Sequence, residues 1–334
     1  MKLNKKKLKK IVLIVLFEII FLTITTPVLF LYGPYDSIRK MAISTVLATR
    51  HSYLIDKYIP KNVVNKVLEG DIVQQASATN NSNDKIDTQV EIKHKNDNEI
   101  IRYNIQTDSF DGYLLEIKDP TKIKVAMTNE LGKSGQKTSD MAREHDAIVA
   151  INGGSFVDES SDGTKYAGTG SYPGGFVISD GKVIYPTTDV DENQKENVLA
   201  FTKSGHLIVG DRSIKELKEI DVKEAICFRP PTLIINGKRQ IKDKYEGGLN
   251  PRTAIGQKAD GTVLFLVIDG RKSITKMGAT LYDVQEVLLD YGAINAGNLD
   301  GGYSSTMYYE GEVINSPNSW NGERTVATAF YVEK

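Results

Sequence analysis

The chain has 334 residues, 40% hydrophobic and 25% charged, a globular make-up with enough length to bury a sizeable core. Its formal net charge is -1, and six lysines within residues 1–10 leave the remainder acidic, which excludes a basic nucleic-acid-binding body. Cys227 is the sole cysteine, so no disulfide closes within the chain, and its apolar setting at 225–228 reads as a buried, inert thiol.

After the basic tail of residues 1–10, residues 11–32 form an apolar run long enough to cross a bilayer as a helix. Glu18 and Pro27 interrupt it, and no small-residue cleavage pattern follows, so an uncleaved anchor is expected. The lysines keep the N-terminus cytoplasmic and place everything after Tyr32 outside the cell membrane. Residues 36–52 carry helical apolar spacing, and a short helix is expected at 61–68 after Pro60. Residues 74–98 are polar, and no aromatic residue falls between Tyr58 and Tyr103, so residues 33–98 read as a juxtamembrane helical segment and spacer.

From residue 99 to residue 334 the texture is that of one domain. Strands are expected at 113–117, 122–126 and 148–151. Asp180-Gly181 joins strands 175–178 and 182–184, and Asn236-Gly237 joins 233–235 and 239–241, both as hairpins. Further strands fall at 262–268 and 327–332, and helices at 139–145 and 280–291. This predicts an α+β fold: a mixed, largely antiparallel sheet with flanking helices, preceded by the transmembrane helix.

The richest stretch is 297–307, GNLDGGYSSTM, which joins an acid, paired glycines and three hydroxyls. Glycine admits close backbone approach, and loops at strand ends are where rigid sheets carry sites. Four more clusters share this texture: NGGSF at 152–156, GGF at 174–176, RTAIG at 252–256 and DGR at 269–271. Arg324-Thr325-Val326 lies near the end.

In this order the six motifs resemble those of the phosphodiester glycosidase family, over about residues 100–334, as a membrane-anchored bacterial member. Tyr303 departs from the pattern, where the family has a third glycine, so specificity is expected to differ there. The resemblance implies hydrolysis of sugar-1-phosphate diesters, here in a cell-surface or exopolysaccharide glycopolymer outside the cell.

The residue chemistry agrees with that implication. A phosphodiester suits arginine, which binds two oxygens at once, and Arg252, Arg271 and Arg324 are the candidates. Cleaving the C1–O bond builds positive charge that a carboxylate stabilises, and Asp269 and Asp300 are the candidate catalytic acids. Either could be base or nucleophile. Asn152, Gly153, Thr253, Asn298, Gly301, Gly302, Ser304 and Ser305 complete the expected substrate-binding set.

His51, His94, His145 and His206 are scattered, which argues against zinc, and no metal ligand is assigned. No cofactor is expected, although Asp300 with nearby carbonyls has the oxygen chemistry that calcium and magnesium take. The expected partners are the glycosyl-phosphate substrate and the membrane, and not nucleic acid. Two alternatives stay open: cleavage at the P–O bond, and a non-catalytic glycan-binding or polymer-assembly module.

Overall fold

The computed structural model describes residues 5–47, 53–64, 89–157, 169–229, 231–273, 275–319 and 322–334. The expected helix tails at 48–52 and 65–68, and residues 74–88 of the expected spacer, lie outside these.

Helix α1 (Lys5–Tyr32) begins inside the lysine run, and its Lys7–Tyr32 portion is long and apolar enough to span a membrane, with none of it buried in the protein. Short helices α2 (Asp36–Leu47) and α3 (Tyr53–Tyr58) follow and share a small core of Ile43, Ile55, Val63 and Val64.

Among the described residues the body has three large sheets and two two-stranded ones, and every strand pairing is antiparallel. The first sheet runs, in spatial order, Ile100–Gln106, Asp111–Ile117, Val263–Ile268, Arg252–Lys258, Ala293–Leu299, Ile234–Ile235 and Lys238–Arg239. The second runs Leu207–Ser213, Lys195–Thr202, Val222–Cys227, Val177–Ser179 and Lys182–Tyr185. The third runs Glu312–Val313, Met307–Tyr309, Val149–Asn152, Thr328–Val332 and Ile123–Met127.

Alternation along the strands explains how the sheets assemble, because successive side chains leave on opposite faces. Val263, Phe265 and Val267, Leu199 and Phe201, and Ile151 and Phe330 all enter one central core shared by the three sheets. Their neighbours point outward, and each outer face is covered by one helix. Helix α4 (Thr138–Glu144) lays Met141 and Ala142 on Ala150 and Ala329 of the third sheet. Helix α5 (Ile214–Glu219) lays Ile214 and Leu217 on Val198 and Ala200 of the second. Helix α6 (Leu281–Asp290), with a Thr280–Asp283 capping box, lays Val284 and Leu288 on Leu264 and Leu266 of the first.

Both predicted hairpins form. Asp180 and Gly181 have φ of 48° and 76°, and Asn236 and Gly237 have 50° and 70°, as a type I′ turn requires. The strands at 252–258 and 293–299 were not among those expected. They carry buried polar residues: Gln257 accepts from the Leu207 N–H at 2.7 Å, and Asn295 accepts from the Asn236 N–H at 3.0 Å. Such strands show no clean apolar alternation.

Residues 89–98 lie against the body rather than apart from it. Val90 is buried, and the Glu91 and Lys93 N–H groups donate to the Ala259 and Asp260 carbonyls.

Candidate active site

Strand ends from all three sheets meet at one edge. Arg252 pairs with Ile268, Thr253 with Leu299, and Ala329 with Asn152. The Ser155 N–H donates to the Cys227 carbonyl at the end of a second-sheet strand. The five motifs of residues 152–156, 174–176, 252–256, 269–271 and 298–307 are thus brought together, and the segment around Arg324 joins them.

Asn152 is the hub of this edge. Its Oδ1 accepts from Thr253 Oγ1 at 2.7 Å and from the Thr306 N–H at 3.1 Å, while its Nδ2 donates to the Asp300 carbonyl at 2.6 Å. Both Asn152 and Thr253 are fully buried, so they brace the loop from within. Gly153 lets the chain pass against Thr328, whose Oγ1 would lie 2.3 Å from a Cβ. Gly301 abuts the Pro251 carbonyl, and Gly302 turns the loop at φ of 63°.

Asp300 is half-buried, and burial raises its carboxyl above the ordinary aspartate value. Ser304, Arg324, Arg229 and the Gly301 N–H oppose that rise. Ser304 Oγ thus faces the carboxyl, although it falls outside hydrogen-bonding geometry with any described residue. Asn298 Oδ1, Ser305 Oγ and Thr306 Oγ1 are likewise buried without a partner among the described residues. An unsatisfied buried hydroxyl or amide costs roughly 1–3 kcal/mol. Three of these oxygens, on Asn298, Ser305 and Thr306, fall within nine residues of the loop that carries Asp300. The Arg324 guanidinium rests 4.7 Å over the Phe156 ring. Arg229 is exposed just beyond the second-sheet strand and was not among the expected site residues. Its only sequence signal is an arginine directly after an apolar strand.

Three expected residues are placed differently from the roles anticipated for them. Arg252 is buried and committed to backbone: Nε donates to the Ala279 carbonyl at 3.0 Å, and Nη2 to those of Gly247 and Gly248 at 2.6 and 2.7 Å. Burial, with the like charge of Arg271, holds its guanidinium down to about 10. Arg271 has a left-handed φ of 58°, donates to Asn250 Oδ1 at 2.7 Å and lies 4.9 Å over the Tyr303 ring. Asp269 is 2% exposed, with both oxygens engaged by Asn315 Nδ2, the Ser316 N–H and Lys272 Nζ at 2.8–3.1 Å. It ties the 315–316 loop to the sheet, and Asp300 is the acid of the pair with fewer protein bonds.

Cys227 lies in the second-sheet core, where burial pushes its thiol up and Phe176 holds the sulfur on both sides. Among the described residues no group of three or more His, Cys, Asp or Glu is arranged to hold a metal ion.

Residues 145–333 match the family model of phosphodiester glycosidases. The uncharacterized prophage-derived protein YomE of Bacillus subtilis is 29% identical over 59% of this chain and 29% of its own length. The mouse N-acetylglucosamine-1-phosphodiester alpha-N-acetylglucosaminidase is 24% identical over 67% of this chain and 46% of its own. The chain therefore spans less than half the length of these curated relatives. The zebrafish catalytic domain of that enzyme, auto-inhibited by its pro-peptide, shares the fold with a TM-score of 0.59 at 23% identity, over 74% of this chain and 88% of that one.

Proposed function

The chain belongs to the phosphodiester glycosidase family, and from that membership we propose that it hydrolyses the bond between a sugar's anomeric carbon and phosphate in a glycosyl phosphodiester. The observation that carries this reading is Asp300, a half-buried acid at the meeting of the strand ends, raised by burial and acted on by the opposite charges of Arg324 and Arg229.

In this reading Asp300 is the general base. It takes a proton from water as the water oxygen attacks C1. The C1–O bond breaks and its electron pair leaves with the phosphate, whose charge Arg229 and Arg324 hold. The phosphate oxygen is a weak base, so a second carboxyl to protonate it is not required. A raised carboxyl suits a base working near neutral pH. Asn298, Ser304 and Ser305, buried behind Asp300, would shape the loop that meets the sugar. Arg252, Arg271 and Asp269 position the loops behind these groups.

The apolar α1 supports a single-pass anchor with the basic tail inside and the body outside the cell, acting on sugar-phosphate linkages at the surface, as in a glycopolymer.

Hydrolysis of a sugar-1-phosphate methyl diester in ¹⁸O-water tests the chemistry. Label in the released sugar supports C–O cleavage. Label in the phosphate would assign the site to P–O cleavage instead. Absence of turnover across a panel of sugars would favour a binding module.

A further inference from the structure

The segment between the membrane helix and the body is fastened at both ends. Arg39 in α2 donates from Nη1 to the Phe30, Leu31 and Gly33 carbonyls at 2.9–3.1 Å, which caps the end of α1. Farther along α2, Lys40 forms an ion pair with Asp243, and the Leu249 N–H donates to Thr45 Oγ1 at 3.0 Å. Gly248 passes so near that a Cβ there would lie 2.4 Å from the Thr45 nitrogen.

The docked loop leads directly to the site. Gly247 and Gly248 carry the carbonyls that hold Arg252, and Asn250 holds Arg271. From Asp36 to Thr45 along a helix is about 14 Å. A flexible leash of the 25-residue length of the polar tract at 74–98 would let the body stand off by roughly 25–30 Å.

Exposed apolar side chains give a second, independent observation. Beyond α1 they concentrate in this same segment: Tyr35, Ile38, Tyr53, Leu54 and Tyr58. In the described residues of the body only Val157 and Tyr172 are comparable. Tyrosines with apolar neighbours next to a membrane span are the side chains that settle at the headgroup level.

We propose that α2 and α3 lie in the membrane interface and clamp the body against the bilayer, so that the site takes a glycosyl phosphodiester whose alcohol is a membrane lipid. The inference rests on the glycosidase reading and narrows it. Water adds to C1, the C1–O bond breaks, and the products are free sugar and a lipid phosphate monoester that stays in the membrane.

The full chain is reconstituted in phosphatidylcholine vesicles and offered one sugar-1-phosphate as two probes: the diester of a long-chain alcohol in the same vesicles, and the methyl diester in solution. The intact chain should turn over the vesicle-borne probe at least tenfold faster at equal bulk concentration. The double variant Lys40→Glu, Thr45→Val should lose most of that preference while keeping its rate on the methyl diester. Amide exchange at Leu249 reports whether α2 has been released in a folded protein. Equal rates on the two probes, or an unchanged preference once Leu249 is deprotected, would overturn the inference and leave the glycosidase reading standing. Turnover of neither probe would remove that reading itself.

Discussion

The Asn152 side-chain amide donates to the Asp300 carbonyl at 2.6 Å and so ties the end of a third-sheet strand to the loop leaving a first-sheet strand. The same side chain accepts from Thr253 and Thr306, and it therefore sets where the Asp300 carboxyl stands. Asn152→Ala leaves three buried groups without this partner and should cost about 2–4 kcal/mol, read as a lowered denaturation midpoint. Asn152→Asp should be no better, because it turns a donor into an acceptor facing a carbonyl.

Asp300 and Asp269 should separate cleanly on substitution. Asp300→Asn should lower turnover of a glycosyl phosphodiester by on the order of 10²–10⁴ with the fold intact by circular dichroism. Asp269→Asn weakens the bonds to Lys272 and the 315–316 loop, so its leading effect should be a fall in melting temperature. The assignment fails if Asp300→Asn retains full turnover.

The raised carboxyl of Asp300 makes a signed pH prediction. The native group holds its proton more tightly than the unfolded one. Its contribution to stability is full below the ordinary aspartate value and is lost as pH rises through the native value. Asp300→Asn should therefore raise the melting temperature at neutral pH and weaken its fall between acid and neutral. As a base the group works ionised, so the acid limb of the rate profile should lie above the ordinary aspartate range. Arg324→Gln should move that limb higher still, since Arg324 favours the charged form.

The arginines should divide by role. Arg229→Ala and Arg324→Ala should each weaken transition-state stabilisation by about 10- to 150-fold, the worth of a charge-assisted bond, and the exposed Arg229 should be replaced with stability nearly unchanged. Arg252→Ala should instead destabilise, because it frees three backbone carbonyls in a buried setting. A matched set of kcat/KM values and melting curves checks both halves.

Cys227 should resist alkylation by iodoacetamide in the folded chain and react once it is unfolded, because the thiolate is disfavoured by burial. Rapid modification of the native protein would contradict its place in the core.

Much of the framework was legible because its signals are local. The hairpin turns at Asp180-Gly181 and Asn236-Gly237 follow from residues that tolerate positive φ, and α6 from its apolar spacing. The strands at 252–258 and 293–299 were not, because Gln257 and Asn295 satisfy partners far away in sequence. Arg229 escaped notice for the same reason: nothing nearby in the chain marks it as a neighbour of Asp300.

The sequence by itself determined the family, the apolar helix at the N-terminus and the supply of acids, arginines and hydroxyls at the strand ends. These rest on residue type and short spacing, which need no knowledge of what lies across a sheet. Only the tertiary structure decided how that supply is divided. Arg252 and Asp269 were expected in the pocket, yet they are enclosed by backbone carbonyls and a loop from elsewhere in the chain. Arg229 and Arg324 come to Asp300 from segments distant in sequence on either side. Which side chain keeps a free face depends on which strand ends meet, and that is set by the packing of three sheets on one core.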